Sequence, residues 1–389
     1  MVVISYIINM KISYIHSSKK VKTGAGYINS LIVASLRRQG VVVKDFYPRF
    51  SLSDTPIALK GVNNILFFYS LMESRNEILK ADIIQGTTYT PLAFLRFNKP
   101  VVSHFGSTTY GFLRDTPKTR FLEDGGSKII KELKQAGVIK ELNLKSRRPQ
   151  HDIAMIEKYA AERADCVIAT SEIVYQDLLK QEIPAEKIFV VHNAIEDYWF
   201  SQPKQPLTEK PKIVFLGRIG EDVFTLKLKG IDRLVNLYRL FSDLPKTSLI
   251  MTRSKKLINW LQNTISNHQV IANVLKNEIP NYLAASAGDI FFLPSRYEGF
   301  SLSLIEAMSQ GLIPVAYPVG VVPEIINSGE NGFIVNNLAE AQAAIQSLTN
   351  NFDLRQKMST ASRQTAEKFQ AFKMAQKMIN LYKKISPKK

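Results

Sequence analysis

The chain has 389 residues, enough for two or three domains at roughly 100–200 residues each. Its hydrophobic fraction of 45% and charged fraction of 22% exclude a disordered or fibrous chain, and its longest apolar runs, Ile65–Met72 and Ile290–Pro294, fall well short of the ~18–20 residues that span a bilayer. Lys and Arg total 51 against 34 Asp and Glu, a net charge of +17, and the single cysteine, Cys166, excludes a disulfide framework and points to a reducing, cytoplasmic compartment.

The first nine residues lack the basic region and small-residue cleavage site of a secretory signal. Lys11–His16 reads as a first buried strand, so both Met1 and Met10 stand as candidate starts. Thr23-Gly24-Ala25-Gly26 follows, then a helix with Ile28, Leu31, Ile32 and Leu36 on one face that ends at Gly40. Val41–Phe46, Asp82-Ile83-Ile84, Pro100–Ser103, Asp165–Ala169 and Lys187–Val191 are further short apolar runs. Their lack of alternation predicts parallel strands buried on both faces, in βαβ units. The pattern stops between Asp197 and Lys212, where Ser201–Pro211 holds three prolines and no periodicity and reads as a linker. A second series begins at Ile213–Leu216 and continues through Ser248–Met251, Gly288–Leu293, Ile313–Ala316 and Gly332–Val335. The expectation is α/β, two Rossmann-like doubly wound parallel-sheet domains over 1–200 and 212–367, facing a deep cleft with the strand carboxyl ends of both halves turned into it.

The densest chemistry lies in Leu293-Pro294-Ser295-Arg296-Tyr297-Glu298-Gly299-Phe300-Ser301-Leu302-Ser303-Leu304-Ile305-Glu306. A strand ends at a loop carrying Glu298 and Gly299, and a helix starting near Ser303 brings Glu306 into its first turn. The N–H groups of such a turn form an anion site. Ser303-x-x-Glu306 equally fits a capping box, in which Glu306 only ties down the helix end. Upstream, Phe215-Leu216-Gly217-Arg218 closes a strand and Lys229-Gly230 follows, which places two cations near a strand end.

Glu298-x7-Glu306 in this setting, followed by Ile313-Pro314-Val315-Ala316 and Pro323-Glu324-Ile325-Ile326…Gly329-Glu330-Asn331-Gly332, resembles the retaining glycosyltransferases of family 4 ("glycosyl transferases group 1", GT-B fold), most strongly from about Asp289 to Val335. The resemblance implies that Glu298 lies against the donor sugar, that Glu306 binds the ribose hydroxyls, and that the backbone of Gly299, Phe300 and Ser301 approaches the sugar and diphosphate. It matches Arg218 and Lys229 to the family's Gly-Arg…Lys-Gly pattern, with Lys227 competing because Ile219–Leu228 is longer than usual. It assigns Gly26 to a loop closing on the diphosphate and places His104 near the sugar's reactive face, although a lone histidine is more often structural. Gly320-Val321 departs from the family's two successive glycines. His192-Asn193-Ala194-Ile195 resembles the family's hinge turn and reads as structural; Arg253 and Asn273-Val274 are positional candidates for base recognition. No Asp-x-Asp occurs, and no metal or other cofactor is expected.

The implied activity is metal-independent, hexosyltransferase-type transfer of a sugar from a nucleotide-sugar donor to an acceptor hydroxyl, giving an α-linked product. Its rivals are a nucleotide-sugar epimerase of the same fold and an inactive GT-B binding subunit. The family also returns its last helix, here 368–389, to the first domain. Phe112–Gln150 holds ten Lys and Arg against five acids, and 368–389 holds seven Lys and no acid, with Met374, Met378, Leu381 and Ile385 at helical spacing. That stripe reads either as a core-docked face or as part of a patch for anionic lipid or a phosphorylated carrier. The second reading implies a peripheral protein at the inner membrane face, acting on a lipid-linked or cell-envelope glycan in polysaccharide biosynthesis. No nucleic-acid motif is present.

Overall fold

The computed structural model describes residues 10–19, 24–50, 60–117, 122, 125–139, 147–203 and 205–386. Met1–Asn9, Lys20–Thr23 and parts of the basic stretch 112–150 lie outside them, and with them the choice of start and the loop leading to Gly26. Contacts within the chain separate two units: Met1–Gly111 with Ser146–Ala194 and Phe369–Lys389, and Phe112–Lys145 with Ile195–Lys368. A single boundary near residue 200 misses one feature of this division, the excursion at Phe112–Lys145.

The first unit carries strands β1 (Lys11–Ile15), β2 (Val42–Phe46), β3 (Ile83–Thr87), β4 (Val101–Phe105), β5 (Cys166–Ala169) and β6 (Ile188–Val190) in one parallel sheet of order β2-β1-β3-β4-β5-β6. β4 and β5 are buried at every position, as strands covered by helices on both faces must be. Helix Gly24–Arg38 buries Ile28, Leu31, Ile32 and Leu36, and stops where Gly40, at φ +84°, lets its N–H and that of Val41 close on Arg37 and Leu36 carbonyls. Helix Ala371–Ile385 packs on that helix and buries Met374, Met378 and Leu381, while Tyr382 hydrogen-bonds Gln85 of β3. The apolar stripe is therefore a core face, and the reading that made it available to lipid does not hold for those three side chains.

The second unit carries β7 (Ile213–Arg218), β8 (Lys246–Met251), β9 (His268–Ala272), β10 (Ile290–Leu293), β11 (Ile313–Ala316) and β12 (Phe333–Ile334), again all parallel, in the order β12-β11-β10-β7-β8-β9. The chain runs outward through β8 and β9, then returns to the other side of β7 with β10. The switch point thus falls between β7 and β10, where open parallel sheets bind ligands at their carboxyl ends. Helix Gly126–Gln135 belongs here: it buries Ile129, Ile130 and Leu133, packs on helix Ile231–Leu240 and joins Glu132 to Arg239 at 2.7 Å.

Candidate functional site

The loop after β10 is held rigidly. Arg296 is almost buried, donates to both oxygens of Asp232 (2.8 and 2.6 Å) and to the Lys227 carbonyl (2.7 Å), and so anchors the loop to the start of helix Ile231–Leu240. Gly230 comes so close to this loop, at φ +63°, that a Cβ would lie 2.0 Å from the Pro294 carbonyl oxygen. Glu298 then presents Oε1 to Lys229 Nζ at 2.7 Å and to Ser295 Oγ at 2.7 Å. Of the two competing lysines, Lys229 is the one beside Glu298; Lys227 is buried and points its Nζ at the Pro117 carbonyl, 3.4 Å away.

Phe300 is buried, and its carbonyl accepts the Val321 N–H at 2.9 Å. Val321 is itself fully buried, and the close approach falls to Gly320, where a Cβ would lie 2.5 Å from the Phe300 oxygen. Ser301 stands at φ +79°, ψ 77°, a strained conformation for a residue with a side chain. It is the N-cap of helix Leu302–Ser309 but makes no side-chain cap, and its Oγ is buried without a partner among the described residues. The helix therefore begins two residues before the Ser303-x-x-Glu306 motif would start it. Glu306 lies too far along to close a capping box and instead pairs with Lys276, Oε1 to Nζ 2.8 Å, at the buried end of that contact. Arg218 ends β7 with an exposed side chain one strand away from β10. Thr252 N–H donates to Asn273 Oδ1 at 3.0 Å, tying the turns after β8 and β9 together beside Arg253.

Two further candidates sit in the first unit. Gly26 lies in the first turn of helix Gly24–Arg38 rather than in a loop, and its carbonyl accepts from Ser30 Oγ at 3.2 Å. His104 lies in β4, 3% exposed, with Nδ1 buried and unpartnered among the described residues. Burial lowers its imidazole from an ordinary value near 6.5 to about 4, so the ring is neutral at neutral pH. Just beyond it, the turn Thr108-Thr109 is gripped by two buried carboxylates: Asp177 accepts from Thr108 Oγ1 at 2.9 Å, and Glu157 accepts from Thr109 N–H and Oγ1 at 2.8 and 2.9 Å. A pH effect on stability follows. The folded-state value of His104 lies below its unfolded one, so the stability that needs the neutral ring is complete above pH ~6.5 and is lost as pH falls toward 4, by up to ~3 kcal/mol. Thermal unfolding of His104→Gln against pH should show a shallower decline over that window than the parent chain.

Sequence reasoning overlooked Lys276 and Ser295. Ser295 and Lys276 carry no local signal, because each gains meaning only from a carboxylate placed by another segment. Among the described residues no three His, Cys, Asp or Glu side chains gather as a metal site.

Two family models match consecutive parts of the chain: "Glycosyltransferase Family 4" over residues 33–197 and "Glycosyl transferases group 1" over residues 197–365. An α-maltose-1-phosphate synthase of Mycolicibacterium smegmatis is 26% identical over 272 residues, 59% of this chain and 66% of that protein. A 41.2 kDa protein from the cps region of Klebsiella pneumoniae is 29% identical over 191 residues, 46% of this chain and half of its own length. The chain thus spans about half to two thirds of these curated relatives. Among solved structures, a sucrose-phosphate synthase from Thermosynechococcus elongatus superposes with a TM-score of 0.70 at 16% identity, covering 97% of this chain and 99% of its own. Anabaena HepE in complex with UDP-glucose gives 0.67 at 15% identity, covering 97% and 100%. With two six-stranded parallel sheets and a Glu-x7-Glu loop at the switch point of the second, this chain belongs to the group 1, family 4 glycosyltransferases and has their GT-B fold.

Proposed function

We propose that this chain transfers a sugar from a nucleotide-sugar donor to an acceptor hydroxyl with retention of configuration. The observation that carries the reading is the contact of Lys229, at the start of helix Ile231–Leu240, with Glu298 and Ser295 on the loop after β10 at the β7/β10 switch point, with Arg218 at the end of the adjacent strand. The HepE structure, of the same fold, is a complex with UDP-glucose, which supports a nucleotide sugar as donor. Arg218 and Lys229 meet the diphosphate charge, and the backbone of Gly299–Ser301, strained at Ser301, approaches the sugar and phosphates. Glu306 accepts hydrogen bonds from the ribose. The bond from the sugar's anomeric carbon to the phosphate oxygen breaks as the acceptor oxygen attacks the same face, and the acceptor's proton passes to the leaving phosphate. Glu298, its position set by Lys229 and Ser295, orients the sugar, and the neutral imidazole of His104 acts at the sugar. With purified chain, one nucleotide sugar and an acceptor, proton NMR should show an α-linked product from an α-linked donor; a β-linked product refutes retention.

The acceptor is proposed to be lipid-linked or part of the cell envelope, met at the cytoplasmic face of an anionic membrane. No helix among the described residues is long and apolar enough to cross a membrane. Support comes from exposed cations: Lys128, Lys131 and Lys134 on helix Gly126–Gln135, and Lys373, Lys377, Lys383 and Lys384 on the last helix. Because Met374, Met378 and Leu381 are buried, the attachment has to be chiefly electrostatic, about 1 kcal/mol per basic residue and screened by salt. Co-sedimentation with anionic vesicles should be strong at low salt and abolished at high salt. Binding that ignores lipid charge, or none at low salt, leaves a non-membrane acceptor.

A further inference from the structure

We infer that Glu196 and Lys276, with Glu306, form a three-residue clamp for the ribose diol of the donor nucleotide. The inference rests on the proposed donor reading and adds to it two residues that lie outside the Glu-x7-Glu motif. Lys276 follows β9 and pairs with Glu306 at 2.8 Å; its side chain keeps 22% of its exposure and that of Glu306 7%, so the pair meets solvent through the lysine. Glu196 opens the short turn Asp197–Phe200. That turn is fixed to the end of helix Leu302–Ser309 by Gln310 Nε2, which donates to the Trp199 carbonyl at 2.6 Å. Glu196 therefore stands beside the helix that bears Glu306. One of its oxygens, Oε2, is buried without a hydrogen-bond partner among the described residues.

The carboxylate draws hydrogen bonding from the Trp199 indole and from its own backbone, and the electrostatics define which further donor suits Oε2. Burial is the main cause holding the Glu196 carboxyl above the usual range; the Lys276 ammonium, its own backbone N–H and the Trp199 indole oppose this, and Glu306 adds to it. Burial and both carboxylates likewise push the neighbouring Tyr198 phenol upward, so it stays a hydroxyl. Two carboxylates against one ammonium leave a net negative pocket when all three are ionised, which disfavours a phosphate. A neutral group with adjacent O–H donors fits instead, and a ribose diol supplies two of them. Lys276 then limits repulsion between the carboxylates while each accepts one hydroxyl.

The test measures discrimination between hydroxyls within one protein, so modest losses of folded protein cancel. The tightest binder among UDP, GDP and ADP is compared by calorimetry with its 2′-deoxy and 3′-deoxy counterparts, in the parent chain, Glu196→Gln and Glu306→Gln. The parent should favour the ribonucleotide at least tenfold over one or both deoxy forms. In Glu196→Gln that preference should shrink severalfold, with the unfolding temperature little changed. A preference that Glu306→Gln removes and Glu196→Gln leaves intact overturns the clamp but keeps the donor reading. Indifference of the preference to Glu306→Gln overturns the ribose role of Glu306 and the clamp with it; binding of none of the three diphosphates overturns the donor reading itself.

Discussion

Arg218→Ala and Lys229→Ala should each reduce turnover by ~10²-fold or more while barely moving the unfolding temperature. As the sugar–phosphate bond breaks, charge accumulates on the leaving diphosphate, and fixed cations stabilise that state more than the ground state. Both side chains are partly or largely open to solvent: Arg218 is exposed, and Lys229 retains 26% of its side-chain exposure in its pair with Glu298. Ion pairs of that exposure add little to folding. Lys229→Ala has a second consequence, since it leaves Glu298 Oε1 to the Ser295 hydroxyl. Lys227→Ala should act differently. Its side chain is buried against the Pro117 carbonyl, so its loss should lower stability before turnover. A silent Lys229→Ala together with a catalytically damaging Lys227→Ala would reverse the assignment. Steady-state kinetics and thermal unfolding on the same preparations separate these outcomes.

Glu298→Gln and Glu306→Gln should fail in different ways. Glu298→Gln keeps the shape but weakens the contact with Lys229 beside the proposed sugar position, so kcat should fall ~10²-fold with nucleotide affinity nearly intact. Glu306→Gln removes charge from hydrogen bonds that persist through the reaction. Nucleotide affinity should therefore fall roughly 10–100-fold, the worth of a hydrogen bond to a charged group. Loss of thermal stability in Glu306→Gln with nucleotide affinity unchanged would reduce the Lys276–Glu306 pair to a structural tie.

Much of the fold is legible in the sequence because parallel strands buried on both faces lose their alternation, as in Cys166–Ala169 and Ile290–Leu293. β9, His268–Ala272, escapes that rule. It is an edge strand of mixed exposure and reads locally like a loop. The excursion of Gly126–Gln135 to the second unit is invisible for a similar reason: its amphipathic pattern predicts a buried face but not which sheet covers it. Within the site, the Glu-x7-Glu and Lys-Gly patterns single out Glu298 and Lys229 separately, whereas neither their contact nor the start of helix Leu302–Ser309 could be read from them. The Ser-x-x-Glu pattern is a sound cap signal, yet the left-handed backbone at Ser301, next to the Phe300 carbonyl that packs on Gly320 and accepts from Val321, sets the helix start earlier. Lys276 reaches Glu306, and Glu196 the helix that bears it, only through tertiary packing, and no local pattern announces them.

The central claim, that the loop at the β7/β10 switch point cleaves a nucleotide sugar, is tested most directly by nucleoside-diphosphate release. Purified chain is incubated with UDP-, GDP- and ADP-sugars, with water or an added glycan as acceptor, and the products are followed by NMR. The account predicts release of the diphosphate from at least one donor, slow with water and faster with acceptor, and reduced ~10²-fold in Arg218→Ala. Conversion of a donor to its epimer without diphosphate release, or neither binding nor turnover of any donor, would contradict it.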